Sequence, residues 1–300
     1  MKPMKILKIA IALIMLAGIQ TIKAQHTFNN EIGQFERIKV DANVNVVYKT
    51  LPDSTGYARF TAPAGSENLY LLTVKGNGTL RVQLGQEIRE NTVPPTLFIY
   101  SDFLSSVESS SDLNVYIENP VPCAVFNANQ IGNGTIIVEN VKCNNLTASL
   151  TTGNGSVNIS GSCLNANLRM VGTGTIYADR LKADNVNCKT MGTGSIGCWA
   201  LDNLTVKGLG TTKIYYKGKP NIKKTGGGKL FDLQDSDDDD YEKSGVPVTS
   251  FDNPDVNYNE LQEDAEQGQE EDEDKDSDDD DDEDIDPDDD EYQTVVTQDD

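Results

Sequence analysis

Two segments, Val171-Gly-Thr-Gly-Thr-Ile-Tyr-Ala178 and Met191-Gly-Thr-Gly-Ser-Ile196, decide the fold. Each holds a Gly-x-Gly turn, then a β-prone Thr or Ser, then apolar residues on alternate positions. The triplet also occurs at Gly76-Asn-Gly78, Gly132-Asn-Gly134, Gly153-Asn-Gly155, Gly208-Leu-Gly210 and Gly226-Gly-Gly228. Those seven stand against roughly two expected by chance from 25 glycines in 300 residues. From the second triplet onward they open at Gly132, Gly153, Gly172, Gly192, Gly208 and Gly226. A period near 20 is the signature of a solenoid.

After each turn the apolar pattern has period two. Ile136 and Val138, Val157 and Ile159, Ile176 and Ala178, and Ile196 and Cys198 take the second and fourth places after the second glycine. Such alternation sets these side chains on one face of a strand. A second apolar set follows in each repeat: Leu146, Ala148 and Leu150; Leu164, Ala166 and Leu168; Val186 and Cys188; Leu204 and Val206. No stretch of the body carries a sustained helical stripe.

One such repeat cannot bury its own apolar face. Stacked repeats can, because each strand bonds to its equivalent about 4.8 Å above and below. Coil-to-coil equivalence therefore predicts an all-β parallel β-helix (a β-solenoid). Glycine serves the sharp bends, and the following Thr or Ser can pair with its counterpart on the next coil. About 205 residues at about 20 per coil give roughly ten coils and a rod some 50 Å long. Residues 28–125 show the pattern less cleanly, in short strands such as Phe35 to Val40 and Leu113 to Ile117. The first strands are expected to cap the stack, since an open end would template aggregation.

Charge divides the chain into three. Residues 1–24 hold four Lys and no acid, residues 25–231 hold 19 basic and 15 acidic residues, and residues 232–300 hold two Lys against 33 acids. The first segment reads as a signal peptide: Lys2, Lys5 and Lys8, an apolar stretch from Ile9 to Ile19, and a cleavage point after Ala24. That stretch is shorter than the roughly 20 apolar residues of a membrane span, so export without a span is expected. Residues 25–231 form the β-helical body. Residues 232–300 form an Asp/Glu-rich, low-complexity tail, whose charge and scarce apolar residues predict disorder. The acidic balance and the absence of a basic aromatic patch argue against nucleic-acid binding.

The string from Gly172 to Leu230 resembles the putative auto-transporter adhesin, head GIN domain family. The residues that carry the resemblance are Val171 to Ala178, Met191 to Ile196, and Ile214-Tyr-Tyr-Lys-Gly-Lys-Pro220 before the glycines 226–228. Phe35 to Tyr48 is similar to that family's first strands. The resemblance covers about residues 28–231 and implies a right-handed β-helix with a surface or adhesive role. The acidic tail is not part of that pattern.

Sites are scarce in this sequence. The single histidine, His26, leaves little for Ser–His or Cys–His catalysis or for histidine metal centres. Asp179, Asp184 and Asp202, beside Arg180 and Lys182, are the enzymatic candidate, for a lyase or hydrolase acting on acidic polysaccharide. Solvated surface charge is the simpler reading of them, so no catalytic, cofactor-binding or metal-ligating residues are assigned. Cys123, Cys143 and Cys163 are spaced to stack, and with Cys188 and Cys198 they leave an odd count. Buried reduced thiols are the preferred account. In the tail, Asp272, Asp274, Asp276, Asp278 and Glu283 have EF-hand spacing, but Ser277 stands where glycine is needed. Weak, diffuse calcium binding is the expectation there. Exposed Asn and Thr ladders suit sugars as well as turns. Taken together, the sequence predicts an exported, non-catalytic, adhesin-like protein of the cell envelope or surface with a glycan or protein partner.

Overall fold

The computed structural model describes residues 25–85 and 93–233. The signal segment and the calcium-spaced acids of the tail lie outside the described residues. Nearly every described element is a strand. The exception is a 3-10 turn at Pro52–Ser54, and all strands join one 17-stranded sheet that coils upon itself.

The N-terminal half lays its strands out of chain order. They are β1 (Gln25–Glu31), β2 (Arg37–Val40), β3 (Val46–Lys49), β4 (Tyr57–Pro63), β5 (Tyr70–Lys75), β6 (Thr79–Leu84), β7 (Leu97–Tyr100), β8 (Ser106–Ser109) and β9 (Asn114–Ile117). The layer made by β2 and β3 lies between two later ones, because β2 pairs with both β6 and β8 and β3 with both β7 and β9. Charges tie the three layers together. Lys39 Nζ lies 2.7 Å from Glu108 Oε1, and Arg81 pairs with Asp41. These layers turn without a Gly-x-Gly. Instead Asn43 Oδ1 accepts from the Asp112 amide at 2.8 Å, and Asn45 Oδ1 from the Asn114 amide at 3.0 Å.

The outermost strands are antiparallel: β1 pairs with β4, β4 with β7, and β5 with β6. Phe28 stacks on Phe60 at 5.0 Å, and Phe60 meets Tyr70 edge-on at 4.8 Å. These aromatics close this end of the core. The first strands do cap the stack, but as an antiparallel ribbon, and the first parallel layer is interior to them. Gly76-Asn-Gly78 is accordingly the turn of the β5–β6 hairpin, with the Lys75 carbonyl accepting from the Gly78 amide at 2.9 Å.

Downstream the coils follow the chain: β10 (Cys123–Ile131), β11 (Thr135–Thr152), β12 (Ser156–Gly172), β13 (Thr175–Gly192), β14 (Ser195–Gly210), β15 (Lys213–Lys217), β16 (Asn221–Gly226) and β17 (Lys229–Asp232). The solenoid as a whole makes about six turns. The longer strands bend at β-bulges, as between Asn158 and Ser160, so one strand serves more than one side of a coil. The coils are fewer than the length of the body suggests because β1, β4 and β5 are spent on the antiparallel end.

Stacking is in register. Leu97, Val46, Val115, Ile136, Val157, Ile176, Ile196, Ile214 and Leu230 form one inward column. From Leu97 to Ile214 each is at most 1% exposed. Each such side chain contributes roughly 1.5–3 kcal/mol of burial. The Ser/Thr pairing expected after each turn is present, with Thr135 and Ser156 hydroxyls 2.9 Å apart and those of Thr175 and Ser195 3.1 Å apart.

The corners explain the glycines. The Ser195 amide donates to the Gly174 carbonyl at 3.1 Å, and the Lys213 amide to Gly194 at 3.1 Å. A Cβ on Gly192, whose φ is +142°, would overlap the Gly172 carbonyl oxygen one coil below. Gly76 has no atom within 4 Å of the place a Cβ would take. Gly192→Ala should therefore destabilise by about 3 kcal/mol or more. Gly76→Ala should stay within about 0.5 kcal/mol. Urea unfolding of the two variants measures the contrast, and equal losses would refute the close-approach account.

Candidate functional site

Beyond each corner the strands alternate Asn or Thr outward with apolar residues inward. Asn145, Asn165, Asn185, Asn203 and Asn221 share one outward column. Their amides bond rung to rung. Asn165 Nδ2 donates to Asn145 Oδ1 at 3.1 Å, Asn185 to Asn165 at 3.2 Å, and Asn203 to Asn185 at 2.8 Å. A neighbouring column holds Asn127, Thr147, Asn167, Asn187, Thr205 and Lys223. Here Asn187 Nδ2 donates to Asn167 Oδ1 at 3.3 Å. Between the two columns runs a groove of about 580 Å³, lined from Asn165 to Lys223 and including Lys207.

An amide carries two N–H donors and two acceptor lone pairs. The ladder uses one of each on an interior rung. What remains repeats at the strand spacing of about 4.8 Å. Such a row suits a ligand with closely spaced hydroxyls or amides. The ladder is incomplete where Thr205 replaces asparagine, and buried Asn187 Oδ1 is left without a hydrogen bond.

A second groove, of about 460 Å³, holds the cysteines. Cys123, Cys143 and Cys163 stand in register on successive coils, as the spacing of twenty predicts. All five cysteines are free thiols. Burial is less complete than expected, because Cys123 and Cys143 are only half-buried beside Lys142 and Lys182. The Cys163 thiol donates toward Cys143, which lowers the Cys143 pKa and raises that of Cys163. Burial pushes Cys123 upward. Cys188 and Cys198 are fully buried, and the contact between them raises Cys198.

Of the three candidate carboxylates, Asp184 and Asp202 lie on adjacent coils, each immediately before the paired Asn185 and Asn203, at a register shift. Asp179 pairs with Lys217 at 3.0 Å. Asp184 lines the cysteine groove with Lys182, and that groove contains neither Asp179 nor Asp202. Lys182 also lies 5.6 Å above the Trp199 ring. His26 packs edge-on against Phe28 at 4.8 Å, part of the end cap. No group of three or more His, Cys, Asp or Glu among the described residues could hold a metal ion. The asparagine columns went unassigned in the sequence because Asn-Gly turns supply asparagines of their own. The signal that marks them is the recurrence of Asn145, Asn165, Asn185, Asn203 and Asn221 in parallel with the glycine period.

The model of one protein family, the putative auto-transporter adhesin, head GIN domain, matches residues 34–220. The chain belongs to that family. Among solved structures, a putative adhesin from Bacteroides fragilis is 26% identical, with a TM-score of 0.64 over 72% of this chain and 100% of that one. A putative adhesin from Parabacteroides merdae shares the fold at 20% identity and a TM-score of 0.55, over 70% of this chain and 96% of that one. So does a putative lipid binding protein from Parabacteroides distasonis, at 19% and 0.54, over 71% and 98%. No curated protein matches the sequence. The head GIN domain accounts for the described coils, and no helix among the described residues is long and apolar enough to cross a membrane.

Two outcomes check this geometry. Thr205→Asn would place an amide donor at Asn187 Oδ1 and should stabilise the head GIN domain by about 1 kcal/mol. The melting temperature should then rise by a few degrees, roughly 2–4 °C. At pH 8, timed iodoacetamide labelling read by mass spectrometry should modify Cys143 first. Cys163→Ala should slow that labelling by removing the donor, and Cys188 and Cys198 should stay unmodified until the chain unfolds.

Proposed function

We propose that this head GIN protein is an exported, non-catalytic adhesin that binds a glycan in the asparagine groove. The observation that carries the reading is the hydrogen-bonded asparagine column that lines an open groove beside the partly amide column two residues further along the same strands. A sugar polymer offers hydroxyls as both donors and acceptors, and leftover amide valences answer both. The apolar run after Lys8 and the cleavage point at Ala24 favour export. The adhesin family favours the envelope or outer surface as the place of work. Asp179 is paired with Lys217, and none of Asp179, Asp184 and Asp202 lines the asparagine groove, which favours binding over hydrolysis there, since acid–base work on a glycoside needs two carboxyls flanking one bond.

The full chain on a glycan array should retain a subset of neutral glycans. Asn185→Ala with Asn187→Ala should lower that retention at least about tenfold, the loss expected from removing two hydrogen-bonding groups from one ligand. The variant's melting temperature is read alongside, so that unfolding is not mistaken for lost contacts. A chain that retains no glycan, or that cleaves polygalacturonate into unsaturated products, overturns the reading.

A further inference from the structure

The body's charge is not evenly spread. Residues 169–231 hold eleven Lys and Arg against three Asp, a net of +8, and the acid-rich stretch begins immediately afterwards. The register concentrates part of that charge. Arg169, Lys189 and Lys207 face one another on successive coils, and Lys223 ends the neighbouring column. All four are exposed. None has an acidic partner among the described residues, where Asp179 is taken by Lys217. Like charges directly opposite on adjacent strands repel. An anion from outside the coils would relieve that repulsion.

The last coil points the same way. Every residue of β16 is exposed. Lys224 occupies the inward column above Val206, and Ile222, above Leu204, is 42% exposed. The chain then leaves this end: the Leu233 amide donates to the Tyr216 carbonyl at 2.9 Å, and Asp235 follows two residues later.

We propose that the segment Asp235-Ser-Asp-Asp-Asp-Asp-Tyr-Glu242 docks on the cation column of its own chain, from Lys223 and Lys224 across Lys207 and Lys189 to Arg169. The reach is sufficient. The chain leaves from β17, around the glycine corner from β16, and three strand steps along the stack separate the last coil from β12, about 14 Å. Nine residues beyond Leu233 extend to roughly 30 Å. Six acids meet five cations, and dense acid needs no single register. Tethering raises the local concentration of this segment to the millimolar range, well above that of a free polyanion. The docking itself does not rest on the glycan reading.

Zero-length carbodiimide crosslinking of the dilute full chain at low salt, mapped by mass spectrometry, tests it. Crosslinks should join Asp237 to Asp240 with Lys189, Lys207, Lys223 or Lys224, and should disappear in 0.5 M salt, where screening is complete within roughly 4–5 Å. In a second arm, poly-L-glutamate should bind at least tenfold more tightly when Asp235 and Asp237 to Asp240 are all changed to Asn. Adding Arg169→Gln, Lys189→Gln and Lys207→Gln should abolish that gain. Crosslinks spread equally over Lys39 and Lys75 would overturn the proposal, as would crosslinks that grow with protein concentration, which would indicate a second copy. Equal poly-L-glutamate affinity for both chains would overturn it as well, whatever the glycan array shows.

Discussion

The structure depends on how closely one corner can lie upon the next. A parallel coil repeats the same backbone about 4.8 Å higher, and its ladder bonds must continue around the bend. At Gly194 the space for a Cβ is already held by the Gly174 carbonyl oxygen. That oxygen accepts from the Ser195 amide at 3.1 Å, so it cannot retreat without losing a bond. Glycine at the corner is thus a packing requirement as well as a conformational one. Once corners are seated, the residues two and four places on are fixed in depth, and Ile136, Val157, Ile176 and Ile196 fall into one column.

That logic makes clear which parts of the fold could be read from the sequence. The inward columns downstream of Gly132 were legible because turn and period-two alternation agree in every repeat. The short step from Gly192 to Gly208 was misleading. The register sets Gly210, not Gly208, above Gly192, which brings this coil back toward the common period. Thr212 then stands where the second glycine would be, fully buried, with its hydroxyl donating to the Gly192 carbonyl at 3.1 Å. A threonine that satisfies the carbonyl beneath it has no glycine signature. Upstream, the insertion of β2 and β3 between later layers leaves no mark on local periodicity, because β2 reads the same whichever strands flank it. What holds that order is long-range: Lys39 to Glu108, Arg81 to Asp41, and the asparagines that accept from the Asp112 and Asn114 amides.

Translational repetition also governs the surface, since any residue type on an outward position becomes a column of itself. Whether the column stabilises the fold depends on whether the group can bond to its own kind. Isoleucine and threonine can. Asparagine can too, and the Asn145 to Asn203 ladder gives it one donor and one acceptor at each interior step. Thiols do so weakly, and the result is asymmetric: Cys143 becomes the more acidic because Cys163 donates to it. Arginine and lysine have donors and no acceptor, so Arg169, Lys189 and Lys207 gain nothing from one another.

The candidate site lies where these two kinds of column meet. The asparagine ladder supplies valences that the fold leaves over, on a frame rigid enough to hold them at a fixed repeat. The adjoining cations supply charge with no acidic residue at the register positions beside them, and Asp179 is already paired with Lys217. A carboxylate dyad would need two acids brought to one groove from different coils. Asp179 and Asp184 share β13, and Asp202 stands one coil above Asp184, outside the asparagine groove. The asparagine groove therefore presents a periodic row of amides with no carboxylate in its lining.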